Sequence, residues 1–134
     1  MQTKVLLIED DAMVREAYQE ALQGAGFNVT VAINGEDGLE KAQQGGFNII
    51  FLDVMMPKMD GLQVLKQLSE KPPAVANGPI WLLTNLSHDP VITQAMDLGA
   101  GGALIKSDID PGQLIEAVKK NASTSEVKTE EQSA

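Results

Sequence analysis

Five short apolar runs, each followed by a stretch with helical spacing, set the limits on how this chain folds. The runs are Lys4–Ile8, Asn28–Ala32, Asn48–Leu52, Pro79–Leu83 and Gly101–Ile105, and several are continuously apolar rather than alternating. Continuous runs suit strands covered on both faces. The stretches between them gather apolar residues on one side: Val14, Ala17, Tyr18, Ala21 and Leu22; Gly38, Leu39 and Ala42; Leu62, Val64, Leu65 and Leu68; Val91, Ile92, Ala95, Met96 and Leu98; Leu114, Ile115, Ala117 and Val118. Each stripe is backed by polar residues, as in a helix lying on a core. Gly24 and Gly26, Gly45 and Gly46, Lys71-Pro72-Pro73, and Gly99 fall where helices stop. Five strands alternating with five helices imply a parallel sheet with helices on both faces, because parallel strands need crossover connections. An open α/β sheet of this kind keeps its ligand site outside the carboxyl ends of the strands.

The chain has 134 residues, room for one domain. Residues 1–122 are read as that domain, and Ser123–Ala134, rich in Ser, Thr, Glu, Lys and Gln, as a disordered tail or linker. A net charge of −9 repels nucleic-acid phosphate and anionic lipid, so neither direct nucleic-acid binding nor membrane contact is expected. Zero cysteines exclude disulfides, thiolate metal sites and cysteine nucleophiles. With no long apolar run and no signal-peptide pattern, a cytoplasmic location is expected.

The residues at the ends of the runs are Glu9-Asp10-Asp11, Asp53, Thr84 and Lys106. If the first, third, fourth and fifth strands are neighbours, carboxylates, a hydroxyl and an ammonium converge in one crevice. Crowded carboxylates repel, and the remedies are a raised pKa on one of them or a bound divalent cation. Only hard oxygen ligands are available, so the cation expected is Mg²⁺. A carboxylate there can also attack phosphorus to form an aspartyl phosphate, with Lys106 and Thr84 orienting the phosphoryl oxygens. Plainer readings stand beside these. Asp10 and Asp11 can cap the first helix, Asp53 can be a turn residue, and Thr84 and Lys106 can be an ordinary strand end and a solvated lysine. His88 reads as a surface residue, the methionines as core filler and loop residues, and Trp81 as core.

The segments Val5-Leu-Leu-Ile-Glu-Asp-Asp11, Leu52-Asp-Val-Met-Met-Pro-Lys-Met-Asp-Gly61, Leu83-Thr84, Leu98-Gly-Ala100 and Ile105-Lys106 resemble the receiver domain of bacterial response regulators, over roughly residues 3–121. The resemblance implies a flavodoxin-like, doubly wound five-stranded α/β fold with strand order 2-1-3-4-5. By position, it implies Asp53 as phosphoacceptor and Mg²⁺ held by Asp10, Asp53 and the backbone carbonyl of Met55, with Glu9 acting through water. It also implies phosphoryl contacts from Thr84 and Lys106, a loop shaped by Pro57 and Gly61, and Asp11 outside the metal site. Three positions depart from the family's pattern: Ala103 where an aromatic is usual, Asn85 where a small residue is usual, and Ser107 where proline follows the lysine. A non-proline cis bond costs roughly 3–4 kcal/mol, so a trans bond or a rearranged loop is expected after Lys106.

The function implied is that of a signalling switch rather than an enzyme, taking part only in its own phosphoryl transfer and hydrolysis. Its expected partners are a histidine kinase or histidine phosphotransfer protein and a downstream protein docking on the face of the fourth helix, fifth strand and fifth helix. The rivals are a docking module of the same fold without phosphate chemistry, and a phosphatase with an aspartate nucleophile. Such phosphatases carry a second Asp two residues after the nucleophile, where this chain has Ala12 after Asp10. A flavin-binding protein fits poorly, because the loop after the first strand is acidic.

Overall fold

The computed structural model describes residues 2–85, 90–106 and 110–121. His88, the Lys106–Ser107 linkage and Ser123–Ala134 lie outside the described residues. In chain order the elements are β1 (Lys4–Ile8), α1 (Ala12–Gly24), β2 (Asn28–Ala32), α2 (Gly35–Gln44), β3 (Ile49–Asp53), α3 (Gly61–Glu70), β4 (Ile80–Thr84), α4 (Pro90–Asp97), β5 (Gly102–Ile105) and a last helix, α5, over residues 111–121. The strands form one parallel sheet in the order β2-β1-β3-β4-β5, the flavodoxin-like arrangement expected.

Both faces of the central strands are dry. Along β1, Val5 and Leu7 face one cluster with Tyr18, Leu22, Phe51 and Leu114 from α1, β3 and α5. Leu6 and Ile8 face the other, with Ala42, Val64, Leu65 and Ala95 from α2, α3 and α4. This two-sided burial is the reason the runs are continuous rather than alternating. Trp81 is partly buried and packs against the α1/α5 side. The methionines divide differently from the expectation: Met56 is buried, but Met13 and Met96, both on helices, are 82% and 44% exposed. Met96 directly follows the buried Ala95, and one residue of helical rotation carries it off the face that meets the sheet.

The helices start and stop through local chemistry. Asp11 caps α1 by accepting from the Met13 and Val14 amides, and Asn34 caps α2 by accepting from Asp37. Asp60 and Gln63 form a reciprocal capping box on α3, and Asp110 with Gln113 repeats it ahead of α5. On α2, Asp37 pairs with Lys41 at 3.1 Å, Lys41 Nζ donates to the Val31 carbonyl at 2.6 Å, and the Ile33 amide donates to Asp37 at 3.1 Å. Gly38 lets α2 approach β1 closely, since a Cβ there would stand 2.6 Å from Ile8 Cγ2. Gly38→Ala is therefore expected to lower unfolding free energy by about 1–2 kcal/mol in urea melts, because overpacking outweighs the roughly 1 kcal/mol gained in helix propensity. Equal or higher stability would show that the contact yields. Among the described residues no helix is long and apolar enough to cross a membrane.

Candidate functional site

The parallel ladder continues one residue beyond the apolar runs on β3 and β4. Asp53 pairs in register with Leu83, and Thr84 with Ile105, so both polar residues are the last residues of their strands rather than the first of the following loops. Main-chain pairing is indifferent to side-chain polarity, which is why hydrophobicity alone ends these strands too early and starts them at Asn48, Pro79 and Gly101, one residue ahead of their observed beginnings. Glu9 and Lys106 follow β1 and β5 directly. Topology thus delivers all of them to one edge of the sheet, with β1 and β3 adjacent at its centre.

Side chains complete the arrangement. Glu9 is fully buried, and Asp53 and Thr84 are buried as well. Lys106 Nζ lies 2.6 Å from Glu9 Oε1 and 3.2 Å from Asp53 Oδ1, bridging the two carboxylates. The second oxygen of Glu9 accepts from the Asp11 amide at 3.1 Å, and Asp53 Oδ1 accepts from the Met55 amide at 3.2 Å. Glu9, Asp10 and Asp53 each bring a carboxylate oxygen to within 4.8 Å of the others. The Lys106 amide donates to the Thr84 carbonyl at 2.7 Å, tying the ends of β4 and β5 together. Asn85, next in the chain, is exposed.

One ammonium among three carboxylates leaves an excess of negative charge in a buried place. Burial, then the hydrogen bond and charge of Glu9, push the Asp53 carboxyl up to about 8 despite the opposing pull of Lys106. Burial draws the Lys106 ammonium down, but Glu9 and Asp53 outweigh it and hold its pKa above the ordinary lysine value. Tyr18, on the α1 side of the sheet, has its phenol raised chiefly by burial. A hard divalent cation fits this donor set: it would replace proton uptake as the remedy for crowding, and the partly exposed Asp10 leaves room for coordinating waters.

The loop after β3 is shaped by a close approach. A Cβ on Gly61 would stand 2.8 Å from the Asp53 carbonyl oxygen, and the Gly61 amide donates to the Val54 carbonyl at 3.0 Å. Pro57 lies in this loop, and Met55 is 65% exposed beside the site. Asp11 is engaged in capping α1, as its place outside the carboxylate group anticipates, and Asp10 is not the cap. Ala103 packs with Val91 and Leu98 against the α2–α4 side of the core. Arg15 carries no motif that singles it out in the sequence, yet its guanidinium reaches the acidic loop, donating to the Glu9 carbonyl at 2.9 Å and the Asp10 carbonyl at 3.4 Å.

Comparison with known proteins agrees with this geometry. The family model described as response regulator receiver domain matches residues 5–119. The transcriptional regulatory protein DltR of Streptococcus agalactiae is 37% identical over 103 residues, covering 77% of this chain and 45% of that protein. The transcriptional regulatory protein CrdR of Helicobacter pylori is 32% identical over 120 residues, covering 90% of this chain and 55% of that protein. Among solved structures, the chemotaxis protein CheY4 of Vibrio cholerae superposes with a TM-score of 0.78 at 30% identity, over 90% of this chain and 98% of that one. The chain spans about half the length of the curated relatives it matches. Those relatives are named as transcriptional regulators, so the expectation of no direct nucleic-acid binding finds no support in them.

Proposed function

The chain belongs to the response regulator receiver domain family of two-component signalling, and from that premise we propose that it is a phosphorylation switch whose phosphoacceptor is Asp53. The observation that carries this reading is the bridge of Lys106 across Glu9 and Asp53, at 2.6 and 3.2 Å, beside the three converging carboxylates. In this reading a histidine kinase or histidine phosphotransfer protein presents a phosphohistidine. An Asp53 carboxylate oxygen attacks phosphorus, the P–N bond breaks, and the imidazole keeps the bonding pair and takes up a proton. Asp10, Asp53 and the Met55 carbonyl would hold Mg²⁺, with Glu9 acting through water, and the ion would neutralise charge on the transferring group. Lys106 leaves its carboxylate pair for a phosphoryl oxygen, and Thr84 offers its hydroxyl to another.

The protein then works as a switch, hydrolysing only its own acyl phosphate, in the cytoplasm. Its changing surface is the face of α4, β5 and α5, which meets a downstream partner. To carry the population from mostly off to mostly on, phosphorylation must favour the active arrangement by about 5 kcal/mol. With Ala103 in place of an aromatic, that coupling passes through the movement of the loops bearing Thr84 and Lys106. Incubation with acetyl phosphate and Mg²⁺ is expected to add one phosphoryl group by intact mass, and Asp53→Asn to abolish the addition. No addition, or addition that persists in the variant, overturns the assignment. The first of those outcomes leaves the docking module, to which Ala103 already points.

A further inference from the structure

Arg15 takes no part in the chemistry described above, yet it holds the main chain of the whole acidic loop. Its guanidinium Nη1 donates to the Glu9 carbonyl at 2.9 Å and to the Asp10 carbonyl at 3.4 Å, while its own amide donates to the Asp11 carbonyl at 2.9 Å. One residue in the first turns of α1 therefore engages three successive carbonyls. The amide side is anchored too: the Asp11 amide donates to Glu9 Oε2 at 3.1 Å, and the Glu9 amide donates to the Ala32 carbonyl at 3.1 Å. With its carbonyls committed to Arg15, the loop brings carboxylates rather than main-chain oxygens to Asp53.

We propose that Arg15 is a positioning residue of the phosphoacceptor site, whose guanidinium fixes the Glu9 and Asp10 carboxylates by gripping their main chain. The inference rests on the phosphoacceptor reading above and adds a residue to it. The physical case is that the two N–H groups of Nη1 lie in the guanidinium plane at fixed angles, so the two neighbouring carbonyls they reach set its place and it sets theirs. Groups that orient ligands without touching the metal strongly affect metal affinity. The sign of the effect separates positioning from charge. As a bare positive charge beside a cation pocket, Arg15 opposes Mg²⁺, and its removal tightens binding; as a clamp, its removal loosens the carboxylates and weakens binding.

Calorimetric titration of Mg²⁺ into wild type, Arg15→Met and Arg15→Lys tests this, together with amide hydrogen exchange in Mg²⁺-free buffer. Arg15→Met is expected to weaken Mg²⁺ binding about tenfold, with Arg15→Lys between it and wild type. Exchange at the Asp11 amide is expected to quicken in both variants, while amides in the middle of β1 and β3 stay protected. Equal or tighter Mg²⁺ binding in Arg15→Met, or unchanged exchange at Asp11, overturns the proposal. A wild type that binds Mg²⁺ but accepts no phosphoryl group sinks the phosphoacceptor reading and leaves this test intact. If wild type binds no Mg²⁺, both the metal site and this role for Arg15 fall.

Discussion

Lys106→Met is expected to lower the unfolding free energy by about 3–5 kcal/mol at pH 8 in Mg²⁺-free buffer, the range for removing one partner of a buried ion pair. Lys106 is the cation bonded to a fully buried Glu9 and to Asp53, and the Asp11 amide is the other donor to Glu9. Its own titration does not intrude: a lysine whose pKa is raised in the fold contributes fully below its unfolded value of 10.5 and is lost only above that. The carboxylates do intrude. Stripped of the ammonium that pulls its pKa down, Asp53 takes up a proton more readily, so the loss shrinks as pH falls towards 5, and saturating Mg²⁺ recovers part of it at pH 8. Urea melts at the two pH values measure this directly. A deficit of the same size at pH 5 and pH 8 would mean that Lys106 acts through packing rather than charge.

Asp53→Asn moves stability the other way. The carboxyl of Asp53 rises from 3.8 to about 8 in the fold, first because it is buried and then because Glu9 lies beside it. A group whose folded pKa is raised contributes stability that is complete below its unfolded value and lost as pH climbs through the folded one. The penalty for ionised Asp53 therefore builds between about pH 4 and pH 8, where it reaches the order of a few kcal/mol. Asparagine keeps the shape and removes the charge, so the variant is expected to melt roughly 5–10 °C above wild type at pH 8 without Mg²⁺, with little difference at pH 4. Saturating Mg²⁺ should narrow or reverse the gap, because wild type gains more from the ion. A gap independent of pH would show that the strain at this position is not electrostatic.

These two effects come from a site whose ingredients were legible in the sequence because of where they fall, at the ends of apolar runs. Position in a parallel sheet follows from periodicity and crossover rules, and once β1, β3, β4 and β5 are neighbours, Glu9, Asp53, Thr84 and Lys106 have to meet. Asp10 and Asp11 are ambiguous between cap and ligand in the sequence because both uses suit an aspartate just ahead of a helix, and these stand two residues and one residue before α1. The structure separates them through the amides of Met13 and Val14, which only Asp11 reaches. The apolar runs stop one residue short of the strand ends at Asp53 and Thr84, because pairing there depends on the neighbouring strand, not on side-chain polarity. Arg15 was invisible for a different reason: its contacts are to main-chain carbonyls, which carry no residue identity. Met13 and Met96 show the remaining gap, since helical spacing says which residues share a face but not how wide a face the sheet covers.

The pairing of Lys41 and Asp37 on α2 has a consequence for how molecules of this protein meet one another. Among the described residues β2 has β1 as its single strand neighbour, so the backbone groups of Val31 and Ile33 that turn away from β1 would be open to a strand from another molecule. The Lys41 ammonium takes the Val31 carbonyl and the Asp37 carboxylate takes the Ile33 amide, acceptor and donor in succession. An incoming strand would have to break both bonds and strand a salt-bridged pair in order to gain two. Growth of the sheet into a fibre or a swapped dimer is thereby disfavoured on this side, and a double substitution of Asp37 and Lys41 to alanine would reopen it to self-association.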